Sequence, residues 1–364
     1  MKIMHVEAGK HLYGGALQVF YLMRGLHQRG CKNILVCPVD SDIGKQSTDI
    51  AHVEQVKMAG DLDIGFCLRL KRLIEAHKPD ILHIHSRRGA DHFGGIAARW
   101  TKTPSILTRR VDNTELRLAA KVKAWCFDEL VAISEGIRQV QIGLGVKPEK
   151  IRTIHSAVDT DKYQPRNIEQ ADILRDRFQL PPDALTIGVI AQLIERKGHR
   201  FLFDIVSQLI EEFPSLQVLV FGKGPEEAQL KHYVEHLNLQ QTIHFAGFHS
   251  DMENLIPSMD LVVHPALKEG LGVALLQASA CGIPMVACGV GGIPEIVQHE
   301  KNGYIVPPAD SQALLSSIQT LLRSDDHRQA FSRQGRAIAE TEFSITAMVE
   351  GNFNRYKALL AKSV

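Results

Sequence analysis

Short apolar runs alternate along this chain with longer stretches whose apolar residues recur at helical spacing. Lys2–Val6, Asn33–Cys37, Asp80–His85, Pro104–Thr108, Glu129–Ile133 and Ile151–Ile154 read as strands. Between the first two, Ala16–Arg29 carries apolar side chains at 17, 19, 20, 22, 23 and 26, and Gly30 closes that helix. Cys67–His77 and Gly94–Arg99 follow the same spacing, and Ser134 is placed to cap the helix behind Glu129–Ile133. A strand–helix–strand opening of this kind implies a parallel sheet.

Residues 160–184 break the pattern: they are polar, contain three prolines and lack a strand run. Alternation restarts with Thr186–Ile190 and continues through Gln217–Phe221, Thr242–Phe245, Asp260–His264, Met285–Ala287 and Tyr304–Val306. From Ser311 onward the spacing is helical. The expectation is an α/β chain of two doubly wound, Rossmann-like domains whose parallel sheets face each other across a cleft. The first would span 1–165, joined by a C-terminal helix at about 344–364, and the second 166–343.

Composition narrows this picture only in part. At 364 residues and 45% hydrophobic content, two proper cores are affordable. A formal charge of +1 gives no global field for nucleic acid. The six cysteines form no CxxC pair and several lie in apolar runs, which reads as buried thiols rather than a zinc site or disulfide frame. The N-terminus has too short an apolar run for a signal peptide, and no stretch approaches the roughly 18 apolar residues of a spanning helix. A cytoplasmic protein is expected, with peripheral contact at the inner face of a membrane left open.

The chemistry concentrates in Glu269–Glu295. An apolar strand ends at His264, and Glu269, Gly270 and Gly272 lead directly into a helix beginning Val273-Ala274. A second strand, Met285–Ala287, is followed by Gly289-Val-Gly-Gly292 and a second helix start at Pro294-Glu295. Each junction offers free N–H groups and the positive end of a helix dipole, and two in tandem favour an anion pocket over plain packing. Arg196 and Lys197 add cations at another strand exit; an arginine fork takes two phosphate oxygens, and a bound anion removes the conflict of two cations with the helix dipole.

Taken together, Gly14-Gly15, Ala132–Glu135, Ile154–Asp159, Ala191–Gly198, Phe221–Gly224, Gly247-Phe248 and Glu269–Glu295 resemble the retaining GT-B glycosyltransferases of family 4. That group includes many lipopolysaccharide and capsule sugar transferases, and the resemblance spans nearly the whole chain. It implies a nucleotide-diphosphate-sugar donor on the C-terminal domain, an acceptor on the N-terminal one, and a last helix, Ser344–Leu360, crossing back to the N-terminal domain. It implies no cofactor and no metal.

Carried over by position, Arg196 and Lys197 match the pair on the donor diphosphate, and Glu269 matches the first glutamate of an E-x7-E motif, set against the donor sugar. The Gly272-Val273-Ala274 backbone would meet the phosphates. Gly14 and Gly15 count with them as ligand-binding positions. Gln277 stands where the second glutamate would bind the ribose, a departure that bears on base and ribose preference. A second departure is Arg110, where many relatives have histidine; it would stabilise the leaving diphosphate or hold an anionic acceptor. Arg87, Arg88, Arg109 and Arg110 would then gather at two strand ends, fitting a phosphorylated or carboxylated acceptor such as a lipopolysaccharide inner core. The structural alternative is that some of them pair with Asp91 or Asp112. Asp61-Leu-Asp63 and Asp159-Thr-Asp161 have DxD spacing but read as turns, and His83 and His85 share a strand face as packing or wall residues.

The expected activity is therefore retaining transfer of a sugar to a cell-surface glycan or glycolipid. One rival is a catalytically degenerate sugar-nucleotide binder or partner subunit. Another is a dinucleotide oxidoreductase, disfavoured because no G-x-G-x-x-G follows the first strand.

Overall fold

The computed structural model describes residues 1–362 except 13, 61, 87–88, 112–114 and 168–172. Arg87, Arg88, Asp61 and Asp112 therefore lie outside the described residues. The chain forms two compact units, Met1–Ala157 with Ile345–Val364, and Val158–Ser344.

The first unit runs β1 (Lys2–Val6), α1 (Gly15–Gln28), β2 (Lys32–Cys37), α2 (Asp42–Gln46), β3 (His52–Gln55), α3 (Ile64–His77), β4 (Ile81–Ile84), α4 (Ala90–Thr101), β5 (Ser105–Arg109), α5 (Arg117–Cys126), β6 (Glu129–Ala132), α6 (Glu135–Gly143) and β7 (Ile151–Thr153). Its seven strands are parallel, in the order β3-β2-β1-β4-β5-β6-β7. Central strands such as β4 are buried along their whole length, which is why they read as continuous apolar runs. Ser134 caps α6 as expected, its hydroxyl accepting from the Ile137 N–H. The edge strand β3 was not expected.

The second unit contains α7 (Ile173–Phe178), β8 (Thr186–Ile190), α8 (His199–Glu212), β9 (Gln217–Phe221), α9 (Glu227–His236), β10 (Ile243–Gly247), α10 (Met252–Leu255), β11 (Leu261–His264), α11 (Val273–Ala280), β12 (Met285–Cys288), α12 (Ile293–Ile296), β13 (Gly303–Val306), α13 (Ser311–Leu322) and α14 (Asp325–Glu342). Its six parallel strands are ordered β10-β9-β8-β11-β12-β13, over a core of β-branched and leucine side chains that includes Phe203 and Phe331.

A last helix, α15 (Ile345–Ala361), belongs to the first unit and packs on α1. The two backbones approach so closely at Gly25 that a Cβ there would stand 2.5 Å from Val349. Arg355 of α15 makes two 2.6 Å bonds to Glu129, and the Tyr356 hydroxyl lies 2.6 Å from His83.

The unit boundary lies eight residues before the one expected at 165. Residues 158–165 pack with the second unit because Val158 bridges Ser344 and the Arg336 guanidinium donates to the carbonyls of Thr160 and Tyr163. Both sheets change strand direction of growth between two neighbours, β1/β4 in one and β8/β11 in the other. Such switch points open a crevice at the carboxyl ends of the strands.

Candidate active site

In the second unit, the loops leaving β8 and β11 meet at the switch point. Glu195–Lys197 form a single 3₁₀ turn after β8, and the Arg196 carbonyl accepts from the Leu267 N–H at 2.8 Å, which ties this turn to the loop after β11. Gly198 is left-handed (φ 67°), and a Cβ there would collide with the Pro265 carbonyl at 2.0 Å. So the turn can sit there only with glycine behind it.

The contact that results is between Lys197 and Glu269. The buried Lys197 ammonium lies 2.5 Å from Glu269 Oε2, His264 Nε2 donates to the same oxygen at 3.0 Å, and the Gly270 N–H donates to Oε1 at 3.0 Å. Burial pushes the Glu269 carboxyl up, but the His264 and Lys197 contacts outweigh it and bring it down to about 2. It is thus ionised throughout the neutral range. Arg196, by contrast, is exposed.

From this carboxylate the chain enters α11. Gly272 is its left-handed N-cap (φ 99°) and no side chain caps it, so the first-turn N–H groups at Val273 and Ala274 remain available to an anion. One turn on, Gln277 donates its amide to the Tyr163 hydroxyl at 2.8 Å. The second glycine loop differs from expectation. Its helix, α12, is only four residues, too short for much of a dipole. Gly291 instead serves packing: its Cβ would fall 1.7 Å from the Glu269 carbonyl, so the loop buttresses the glutamate. Arg196, Lys197, Glu269, Gly272, Val273, Ala274 and Gln277 thus lie in one unit, on the loops leaving β8 and β11 and the first turns of α11.

Gly14, Gly15 and Arg110 belong to the other unit, at its own switch point. A cavity of about 380 Å³ there is lined by Glu7, Gly15, His85, Ser86, Arg109 and Arg110, among others. A Cβ on Gly15 would already touch Arg110 Cδ at 3.2 Å. Burial lowers the Arg110 guanidinium to about 10, with Glu7 opposing, so it remains a cation at neutral pH. Burial also pushes the Glu7 carboxyl above the ordinary range, against the Gly9 N–H and Arg110.

The expected four-arginine cluster is corrected for Arg109. Its guanidinium lies 2.9 Å from Glu115 and 3.8 Å from Asp91, and Lys123 joins both carboxylates at 2.6 and 2.9 Å. Both arginines border the cavity, but Arg109, the last residue of β5, is ion-paired to these carboxylates, whereas Arg110, just beyond the strand, is set against Glu7. Asp159 behaves as a turn residue, accepting from the N–H groups of Asp161 and Lys162. Sequence reasoning did not assign roles to His264, Tyr163 or Glu7; His264 closes β11 and Glu7 follows β1, which is a signal, whereas Tyr163 lies in the middle of the loop between β7 and α7 and carries none.

Two parallel doubly wound units, each with polar groups converging at its switch point, define the GT-B class of fold. The comparisons agree. The family model described as "Glycosyltransferase Family 4" matches residues 13–162, and "Glycosyl transferases group 1" matches residues 170–338. The chain is a glycosyltransferase of this two-part GT-B family. It is similar to UDP-Gal:alpha-D-GlcNAc-diphosphoundecaprenol alpha-1,3-galactosyltransferase of Escherichia coli, 24% identical over 70% of each chain. It is also similar to GDP-mannose-dependent monoacylated alpha-(1-6)-phosphatidylinositol monomannoside mannosyltransferase of Corynebacterium glutamicum, 30% identical over 61% of this chain and 60% of that one. In fold it resembles Anabaena Alr3699/HepE, solved in complex with UDP, with a TM-score of 0.86 at 20% identity, covering 98% of this chain and 100% of that one.

Proposed function

We propose that this enzyme moves a sugar, with retention of configuration, from a nucleotide-diphosphate donor on the second unit to a cell-surface glycan or glycolipid on the first. Lipopolysaccharide core is the acceptor class we favour. The observation that carries the reading is Glu269, held ionised by Lys197 and His264 at the mouth of α11. A carboxylate in that position suits the donor sugar hydroxyls, while Arg196, Lys197 and the α11 N-terminus suit the diphosphate. Charge that develops on the leaving diphosphate is met by these fixed donors, and no metal or cofactor enters the scheme. Gln277 retains a hydrogen-bonding amide for the ribose, with Tyr163 holding it. The similar proteins named above use UDP-galactose and GDP-mannose by name, so uridine and guanosine donors both belong in a trial.

A specific surface supports membrane contact as part of this function. No helix among the described residues is long and apolar enough to cross a membrane. Yet Leu118, Val122 and Trp125 stand exposed along one face of α5, beside exposed Leu116 and, on α4, Trp100. Leu116 and Leu118 are 80% and 74% accessible. The Arg99 guanidinium stacks 4.3 Å over the Trp125 ring, and Lys102, Arg117 and Lys121 add exposed cations. Exposed tryptophan, leucine and valine side chains with cations around them suit an anionic lipid surface, and this supports a lipid-linked acceptor.

The test is incubation with α-linked UDP- and GDP-sugars while the product anomer is followed by NMR. Release or transfer of the α-anomer supports retention; first appearance of the β-anomer would sink it.

A further inference from the structure

Among the described residues, two groups of three side chains hold metal-ligand atoms within 4.8 Å of one another. One, His5, His83 and His85, is sealed in the core, with five of its six ring nitrogens hydrogen-bonded. The other, His52, Glu54 and His77, opens to solvent: the His52 side chain is 62% accessible, and those of Glu54 and His77 are half-buried.

This second group is assembled by the fold. His52 and Glu54 alternate on β3 and so share one face of that strand. β3 is the edge of its sheet and pairs on one side only, with β2. His77 arrives 23 positions after Glu54, as the last residue of α3. A single oxygen, Glu54 Oε1, receives both rings: His77 Nε2 lies 2.7 Å from it and His52 Nε2 3.1 Å. Burial pushes the Glu54 carboxyl up, but the His77 and His52 contacts outweigh it and hold it below the ordinary range.

Two imidazole nitrogens and a carboxylate that converge at a surface are the donor set of a three-ligand zinc site, with water in the fourth place. Ligand atoms around a tetrahedral zinc ion stand about 3.3 Å apart. Side chains already spaced at 2.7 and 3.1 Å need only small shifts to admit one. His77 also sits where the negative end of the α3 dipole favours a cation. An opposing charge is Lys2, but its ammonium is tied to the His77 carbonyl at 2.7 Å rather than to the three side chains.

We propose that His52, Glu54 and His77 bind one divalent cation of the zinc class, and that this ion clips the open edge of the first sheet to the end of α3. Both rings enter through Nε2, with the ring hydrogen on Nδ1. His52 begins β3 and His77 shortly precedes β4, so the site lies at the amino ends of the strands, whereas the switch-point crevice opens at their carboxyl ends. The ion is therefore structural and takes no part in sugar transfer, and the inference stands independently of that reading. It adds a crosslink across the β3–α3 segment and restrains an edge strand that has one neighbour.

The test uses the full chain, stripped of metal with EDTA and dialysed, at about pH 7.5 and without nucleotide, whose phosphates would compete for the ion. Calorimetric titration with Zn²⁺ and the visible absorption of added Co²⁺ read binding, and the melting temperature reads its consequence. One equivalent of Zn²⁺ is expected to bind and to raise the melting temperature. His52→Gln, Glu54→Gln and His77→Gln should each weaken binding at least about tenfold and remove most of the rise. His232→Gln, which breaks a comparable exposed contact with Glu235, should change neither. The exposed His52→Gln variant should melt as the parent does in EDTA, which separates loss of the ligand from loss of the fold. No binding of either ion, binding that survives any of the three ligand substitutions, the same loss in His232→Gln, or a melting temperature unmoved by saturating Zn²⁺ overturns the proposal.

Discussion

Lys197 Nζ and Glu269 Oε2 stand 2.5 Å apart, the one on the 3₁₀ turn after β8 and the other on the loop after β11. Neither residue is near the other in sequence. Their meeting joins the two exits of the switch point, and His264 makes the contact three-sided. It ties the charge of the proposed donor site to the stability of the unit that carries it.

That tie gives a pH signature. Glu269 falls from an ordinary value of 4.5 to about 2 on folding, so its ionised form favours the folded state. Its contribution, about 3 kcal/mol by linkage, is fully present above about pH 4.5 and is lost as pH falls toward 2. Urea unfolding of the parent and Glu269→Gln from pH 7 to pH 2.5 should show a gap that closes below about pH 4. A gap that stays constant across this range would contradict the assignment.

Gly291→Ala should be damaging out of proportion to one methyl group. The position is left-handed (φ 57°) and the new Cβ would strike the Glu269 carbonyl at 1.7 Å. A loss of about 2 to 3 kcal/mol in stability is expected, with weakened nucleotide binding because the buttress moves the glutamate. Unchanged binding would show that the loop only packs.

Arg109 and Arg110, adjacent in sequence, should fail differently. Arg109→Met leaves Asp91 and Glu115 with Lys123 as their one cation among the described residues and should cost about 3 kcal/mol in unfolding experiments. Arg110→Gln should cost less than about 1.5 kcal/mol and instead weaken acceptor use, since its guanidinium makes one long bond, 3.4 Å from Nη1 to Ser156, and the raised Glu7 carboxyl can take up a proton when the cation is gone. Equal stability losses would refute the division.

The surface of α4 and α5 should bind anionic vesicles and lose most of that binding in Trp100→Ser/Trp125→Ser. Charge reversal at Arg117 and Lys121 should weaken it by about 1 kcal/mol per cation, and added salt should do the same. Vesicle flotation with neutral and anionic lipid separates the two terms; flotation unaffected by either pair of changes would remove the membrane role.

Much of this was legible in the chain. Parallel strands buried on both faces, such as Ile81–Ile84 and Leu261–His264, leave unbroken apolar runs, and their exits marked Arg196, Lys197 and Glu269. The edge strand His52–Gln55 has no such run, because an edge needs no buried faces, and it went unseen. Arg109 was grouped with Arg110 because the two are adjacent in sequence; its partners Glu115 and Asp91 lie on a loop and on α4, and only the fold shows which arginine they reach. The Gln277–Tyr163 and Lys197–Glu269 bonds join residues 114 and 72 positions apart, and only the fold reveals them.

The central claim is that the Arg196, Lys197 and Glu269 site holds a nucleoside diphosphate. Its most direct test is the thermal stabilisation of the chain by UDP, GDP and ADP at fixed concentration, for the parent and for Arg196→Ala. Arg196 is exposed, so its removal should leave the unliganded melting temperature unchanged. A ligand at about 100 times its Kd adds roughly 2.7 kcal/mol, a clear upward shift. We predict such a shift with at least one nucleotide and its reduction or loss in Arg196→Ala. No shift with any of the three, or a shift that Arg196→Ala leaves intact, would contradict the account.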